Sequence, residues 1–356
     1  MPMIEQALKH LKLLGSREST QLAYCITALI LIVIYGIKFF HINDFASIYG
    51  QPLTKLAPDR QWFQTGPINN FIGFILSPFF SWKISYFIIH AMNIGAIIIA
   101  LRIWKNEQGD DSFKALLSIL FITPVVVIPL MWWGKADAFL ISSIIAIAAL
   151  SGRSSKLIYC WAIIGILSHP QSFSIQLLGL ALLGISRPLD TFKMIAVSYL
   201  VYSAYYFSIG SMDGRASFII DNYQIILEAF LVAPIFTTFT FFGFFWFFLG
   251  SIARKISLPQ ISYLIIIFII TSITLDHTRV FALLSMPLIC SIAISKSYVD
   301  EYFSYIKNLN IVVPYFVIAL LHFQMWGVIV YDSFWVESFI FPLLAQKIIT
   351  LANYFL

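Results

Sequence analysis

Apolar runs of about twenty residues recur along this chain, separated by short polar connections, and that pattern limits the available folds more than anything else. The first run extends from Leu22 to Phe40. Others follow at about 83–104, 114–131, 136–151, 191–210, 230–250, 261–275, 280–295 and 311–331. A helix rises about 1.5 Å per residue, so roughly 20 residues cross the ~30 Å hydrocarbon core of a bilayer. Composition points the same way. Only 11% of the 356 residues are charged and 60% are hydrophobic, whereas a soluble domain carries roughly 25% charge to wet its surface. We therefore expect an all-α, polytopic transmembrane bundle of about 11 helices (10–12), with residues 1–356 forming one transmembrane domain. The inner connections are about 5–15 residues long, too short for a soluble domain of ~50 residues.

Residues 1–19 read as a cytoplasmic N-terminus. The 22–40 run exceeds the ~7–15 residues of a signal-peptide core, and no small-residue cleavage site follows it. The stretch 157–186 is too long for one pass and is interrupted at Ser168-His169-Pro170-Gln171. Proline removes a backbone donor and drives its predecessor out of helical geometry, so two short helices are expected to meet at His169-Pro170. The run 338–356 contains Lys347 and fits either a last span or an interfacial helix. Cys25, Cys160 and Cys290 lie in separate apolar runs and read as small apolar fillers.

Basic residues collect on the cytoplasmic side of membrane proteins. With the N-terminus inside, the inner connections hold Lys9, Lys12, Arg17, Arg102, Lys105, Lys114, Arg153, Lys156, Arg187, Lys193, Arg254, Lys255, Lys296 and Lys307 of the 22 basic residues. Treating 157–186 as two passes keeps Arg187 and Lys193 inside. These cations are spread between apolar segments rather than gathered in a patch, which argues against nucleic acid as a partner.

The outer connections gather acids, bases and histidines at one face. They include Asp44, Asp59 and Arg60 in the long 41–82 loop, Lys135 and Asp137 in the turn Trp132-Trp133-Gly134-Lys135-Ala136-Asp137, His169, and Asp276-His277-Thr278-Arg279. Ionisable groups near membrane depth are costly and usually mark a site. A capped turn with a self-contained Asp276–Arg279 ion pair is the structural alternative for the last of these. Within 41–82, the segment Pro58–Asn70 is too polar to span and is expected to form interfacial helices, with Trp62 and Phe63 dipping into lipid.

The order of these features resembles the GT-C class of integral-membrane glycosyltransferases. An acid, Asp44, follows the first span and precedes a long outer loop containing Gly66-Pro67. Thr123-Pro124 within a run leads to Trp133-Gly134-Lys135-Ala136-Asp137, similar to the Trp-Gly-x-x-Asp turn of polyprenyl-phosphate-dependent mannosyl- and glucosyltransferases. Gly165-Ile-Leu-Ser-His169-Pro170 is like the helix break those enzymes have next. The likeness covers about residues 20–186. Position 43 is Asn, where the metal-binding variants of the class carry a second acid, so no metal or other cofactor is indicated.

The resemblance implies transfer of a sugar from a polyprenyl-phosphate-linked donor to a glycan acceptor, itself lipid-linked, at the outer leaflet of a plasma (bacterial inner) membrane. Such a reaction needs a carboxylate to take the acceptor's hydroxyl proton and cations to hold the phosphate. Asp44 is the first candidate for the base and Asp137 the second. Arg279 and His277 are candidates for the lipid phosphate, since arginine makes forked contacts to its oxygens. Lys135, His169, Asp276 and Arg60 complete the expected substrate-binding set. A polysaccharide polymerase of the Wzy type, a transporter or flippase for a lipid-linked glycan, and a non-catalytic scaffold are the competing readings. The first would use arginines in two large outer loops, and the second would show internal repeats and charges near mid-span.

Overall fold

The computed structural model describes residues 38–39, 45–46, 49–50, 67–133, 135–153, 156–209, 238, 241–242, 245–274 and 277–308. These are almost entirely helical. In chain order they comprise β1 (Lys38–Phe39), α1 (Ile68–Leu76), α2 (Trp82–Gln108), α3 (Asp110–Ile122), α4 (Pro124–Met131), β2 (Trp132–Trp133), α5 (Asp137–Leu150), α6 (Leu157–Ser168), α7 (Pro170–Leu182), α8 (Pro188–Ile209), α9 (Phe245–Ser251), α10 (Leu258–Ser272), α11 (His277–Leu284), α12 (Met286–Ile294) and α13 (Lys296–Asn308). The only strand pairing among them is a two-residue parallel ladder, Lys38 opposite Trp132 and Phe39 opposite Trp133. The expected runs at 311–331 and 338–356 lie outside the described residues, as does most of 22–40.

α5 is the central post. Every one of its residues is buried, as a helix apolar on all sides must be. It packs most extensively on α2 and α6, with α12, α7, α4 and α11 closing around it. A second, smaller apolar cluster of Phe45, Tyr86 and Ile89 ties residue 45 to α2. Gly73 of α1 makes room there, since a Cβ at that position would lie 3.0 Å from the Phe45 ring.

Proline sets most of the breaks. Thr123 precedes Pro124 and is extended, φ −108° and ψ 162°, which divides the expected 114–131 run into α3 and α4. His169 precedes Pro170 with φ −161° and ψ 87°, dividing α6 from α7 as expected. The chain folds back there. Residues eight apart on a straight helix stand about 12 Å apart along its axis, yet a Cβ on Gly165 would lie 2.2 Å from the Phe173 ring.

A third break, at Ser285, divides the 280–295 run into α11 and α12. Pro287 has no N–H to offer the Leu283 carbonyl four residues earlier. Gln176 of α7 fills the gap, its Nε2 donating to that oxygen at 2.5 Å. Tyr263 of α10 donates to the next carbonyl, Leu284, at 2.7 Å. Neighbouring helices thus satisfy the backbone groups that the break releases.

α2, with 27 residues, is long and apolar enough to cross a membrane. Arg279–Ile294 with Lys296–Ser304 passes the same test as a pair bent by 91°. α13, the second arm, carries Lys296, Asp300, Glu301 and Lys307, and it is anchored by Ser118 to Tyr302 at 2.7 Å and by the Lys255–Glu301 ion pair. Large apolar side chains stand exposed on α2, α8 and α10, among them Ile98, Leu200 and Ile269, while Ser85, His90, Asn93, Gln176 and Ser198 are buried.

Candidate functional site

Three helices begin at one end of the bundle, and each brings a polar side chain there. α5 begins with Asp137, just after Lys135. α7 begins beyond His169, and α11 carries Arg279 in its first turn. An acid in a first helical turn opposes the positive end of the helix dipole, which accounts locally for Asp137. The His169 imidazole turns its Nδ1 back to accept from the Ser172 N–H at 3.4 Å, capping α7.

Asp137 and Arg279 form the centre. The guanidinium grips the carboxylate in a fork, Nε to Oδ2 at 2.6 Å and Nη2 to Oδ1 at 2.6 Å. Only 2% of the Asp137 side chain and 13% of the Arg279 side chain remain exposed. A carboxylate so deeply buried must be paired to stay charged, and the planar guanidinium supplies two parallel charge-assisted bonds. Lys135 and His169 both act electrostatically on the same carboxylate. Among the described residues, three cationic or protonatable groups and three helix N-termini therefore surround one buried acid, and helix N-termini with cations are the groups that hold anions such as phosphate.

The connection leading to Asp137 is anchored on both flanks. β1 pairs with Trp132–Trp133, placing the backbone of residues 38–39 beside this turn. The Trp133 ring stacks on His90 of α2, with centroids 3.9 Å apart and planes 22° apart. His90 is 3% exposed, and neither of its ring nitrogens has a hydrogen-bond partner among the described residues. One turn further along α2, Asn93 donates to the Ile89 carbonyl at 3.0 Å, and its own oxygen has no hydrogen-bond partner among the described residues. Asn69 and Asn70 of α1 are buried as well.

Of the sequence-derived set, Lys135, Asp137, His169 and Arg279 come together, the paired Asp137 and Arg279 from 142 positions apart. Arg279 gives its fork to Asp137. Asp44, Arg60 and Asp276 lie outside the described residues, as does the side chain of His277, whose backbone opens α11. The described neighbour of Asp44, Phe45, is packed against Tyr86 of α2 with ring centroids 5.6 Å apart. His90 and its stack on Trp133 were not among the expected site residues. The available signal was a histidine and an asparagine three positions apart on one face of an apolar helix. Among the described residues no group of three His, Cys, Asp or Glu side chains is arranged to hold a metal ion. Neither a protein family, nor a curated protein, nor a solved structure matches this chain.

Proposed function

We propose that this chain is an integral-membrane glycosyltransferase. It moves a sugar from a polyprenyl-phosphate-linked donor to a glycan acceptor, itself lipid-linked, at the outer leaflet of a bacterial inner membrane. The observation that carries the reading is the convergence of Lys135, Asp137, His169 and Arg279 at one end of the bundle. Membrane embedding with about 11 passes, and a cytoplasmic N-terminus, is part of the same proposal. It draws support from α2 and from the large apolar side chains exposed on α2, α8 and α10.

In this reading Asp44 is the general base. It takes the proton of the acceptor hydroxyl as that oxygen attacks the anomeric carbon of the sugar. The bond from that carbon to the phosphate oxygen breaks, and polyprenyl phosphate leaves with the electron pair. Lys135 and His169 receive its negative charge. Asp137 holds Arg279, and with it the first turn of α11, in place against α5. That duty suits a buried carboxylate engaged through both oxygens better than proton transfer does.

A carrier for lipid-linked glycans is the second reading. It is favoured by the breaks at Thr123, His169 and Ser285, since broken helices line carrier sites. Reconstitution in liposomes separates the two. Purified protein given a panel of polyprenyl-phosphate sugars and a lipid-linked acceptor should form a new glycosidic product. Translocation of labelled lipid-linked glycan without any product would replace the transferase by the carrier.

A further inference from the structure

A second concentration of cations lies at the other end of α5. Beyond Leu150 the chain turns at Gly152, whose φ of 88° suits glycine, and enters α6 after Lys156. Beyond α7 it turns at Gly184, with φ 71°, and enters α8 after Arg187. α6 packs on both α5 and α8, so the two turns face each other. Between them is a cavity of about 380 Å³, lined by Arg153, Lys156, Arg187, Asp190, Ser186 and Tyr159, with further backbone and apolar neighbours. This lies within the roughly 300–1,000 Å³ typical of small-molecule sites.

The charges in this cavity do not cancel internally. Arg153 pairs outward with Glu107 at the end of α2, Nη1 to Oε2 at 2.7 Å. Lys156 and Arg187 make no ion pair among the described residues. Asp190 is the single acid in the lining. Beside the cavity, the outward faces of α6 and α8 present apolar side chains: Leu157 is 57% exposed, Leu189 64% and Phe192 68%. A cationic cavity flanked by an apolar wall matches an amphiphile with an anionic head and hydrocarbon tails.

We propose that the Arg153–Lys156–Arg187 cavity binds the phosphate headgroup of an anionic phospholipid from the inner leaflet, its acyl chains lying along α6 and α8. Arginine and lysine at an inner rim supply the phosphate contacts, and the adjoining leucines and phenylalanine take the chains. The bound lipid would clamp the α5–α6 turn to the α7–α8 turn, both of them at the base of the folded-back pair that carries His169. The proposal rests on membrane embedding and on the inner placement of these turns. It is independent of the transferase chemistry, because it concerns the opposite end of α5.

The test uses the full chain in nanodiscs of neutral phosphatidylcholine, with phosphatidylglycerol or cardiolipin titrated in, reading the midpoint of thermal unfolding. Ligands that bind only the folded state raise that midpoint progressively with their concentration. Anionic lipid should raise it for the wild type, and the double substitution Lys156→Gln with Arg187→Gln should lose at least half of the rise. Lys83→Gln, a cation far from the cavity, should keep it. Inorganic phosphate at millimolar concentration should give no comparable rise; an equal one would overturn the lipid assignment. An undiminished rise in the double variant would overturn the site. A photoactivatable anionic lipid adds a readout on the unmutated protein. It should label the 157–192 region more strongly than its neutral analogue does, and equal labelling by the two would also overturn the proposal.

Discussion

Neutralising Asp137 while leaving Arg279 intact would take the forked carboxylate away from a largely buried guanidinium. The cost can be bounded from the geometry. Exposed ion pairs contribute about 0–1 kcal/mol, but here the acid is 2% and the arginine 13% exposed, with both fork bonds at 2.6 Å. Two unit charges about 4 Å apart at an effective dielectric of about 20 attract by about 4 kcal/mol. Removing one partner of a buried pair costs about 3–5 kcal/mol, because the other remains charged and dry. Asparagine keeps one acceptor oxygen for the guanidinium, so Asp137→Asn should fall at the lower end, about 3 kcal/mol. Arg279→Lys keeps the charge and loses the second arm of the fork, a charged hydrogen bond contributing about 1.5–3 kcal/mol. The double variant Asp137→Asn with Arg279→Gln removes both charges and should recover to within about 1 kcal/mol of wild type. The assay is reversible unfolding in mixed micelles, analysed as a double-mutant cycle. A loss below about 1 kcal/mol for Asp137→Asn would assign the pair to the exposed class. Additive losses would show that the two residues are not coupled. Either result would refute the reasoning.

Other expectations rest on the proposed reaction, with Asp44 as its base, and on the packing of the described helices. Asp44→Asn should lower sugar transfer by roughly 10²–10⁴-fold, the usual contribution of one general base, without changing protein level; Asp59→Asn is the mild control, and a reversed order in the transfer assay would move the base to Asp59. Gly165→Leu should cost about 1–3 kcal/mol, because a Cβ there already meets the Phe173 ring at 2.2 Å. Phe173→Ala should offset part of that loss in unfolding experiments, and a neutral Gly165→Leu would mean that α6 and α7 do not fold back on each other. In a cysteine-free background, Ser81→Cys should react with an impermeant thiol reagent from outside intact cells and Asn106→Cys should not. The opposite pattern would invert the proposed orientation.

What the sequence disclosed follows the range of each interaction. The break at His169–Pro170 was legible because proline acts on its immediate neighbour, and the bounds of α5 and α8 match the runs 136–151 and 191–210 within a few residues. Thr123-Pro124 was visible as a dipeptide inside the 114–131 run, but hydropathy alone passes straight through it, as it does through Ser285 and Pro287. What compensates the latter break is Gln176, 107 positions away from its acceptor. Long-range pairing was the hardest to read. Arg279 has Asp276 three positions before it, and a local turn or a lipid phosphate was the natural expectation for its charge. Nε and Nη2 of its guanidinium meet Asp137, a pairing set by the packing of α11 against α5, while Asp276 lies outside the described residues. His90 could be recognised as an ionisable residue deep in an apolar helix, yet nothing in its own segment pointed to Trp133.

Helix lengths bear on how deep the ionic cluster lies under the proposed orientation. α5 has 14 residues between the turn carrying Arg153 and Asp137, or about 21 Å. α6 has 12 between Lys156 and His169, or about 18 Å. The stretch from Arg279 to Ile294, just before Lys296, covers about 24 Å. All three fall short of a ~30 Å hydrocarbon core. If their basic ends stand at the inner boundary, Asp137, His169 and Arg279 sit some 6–12 Å inside the outer one. This depth accounts for the closed fork, since an acid there is too dry to stay charged alone. It also bears on the choice between the two functional readings. Carrier sites lie near the midplane, about 15 Å from either boundary, whereas Asp137 and Arg279 would stand about 6–9 Å and His169 about 12 Å inside the outer boundary. A lipid-linked donor carries its phosphate near the headgroup level while its polyprenyl chain stays in the hydrocarbon. Under the proposed orientation, the cations beside Asp137 would meet that phosphate from the outer side, without requiring a path through the protein.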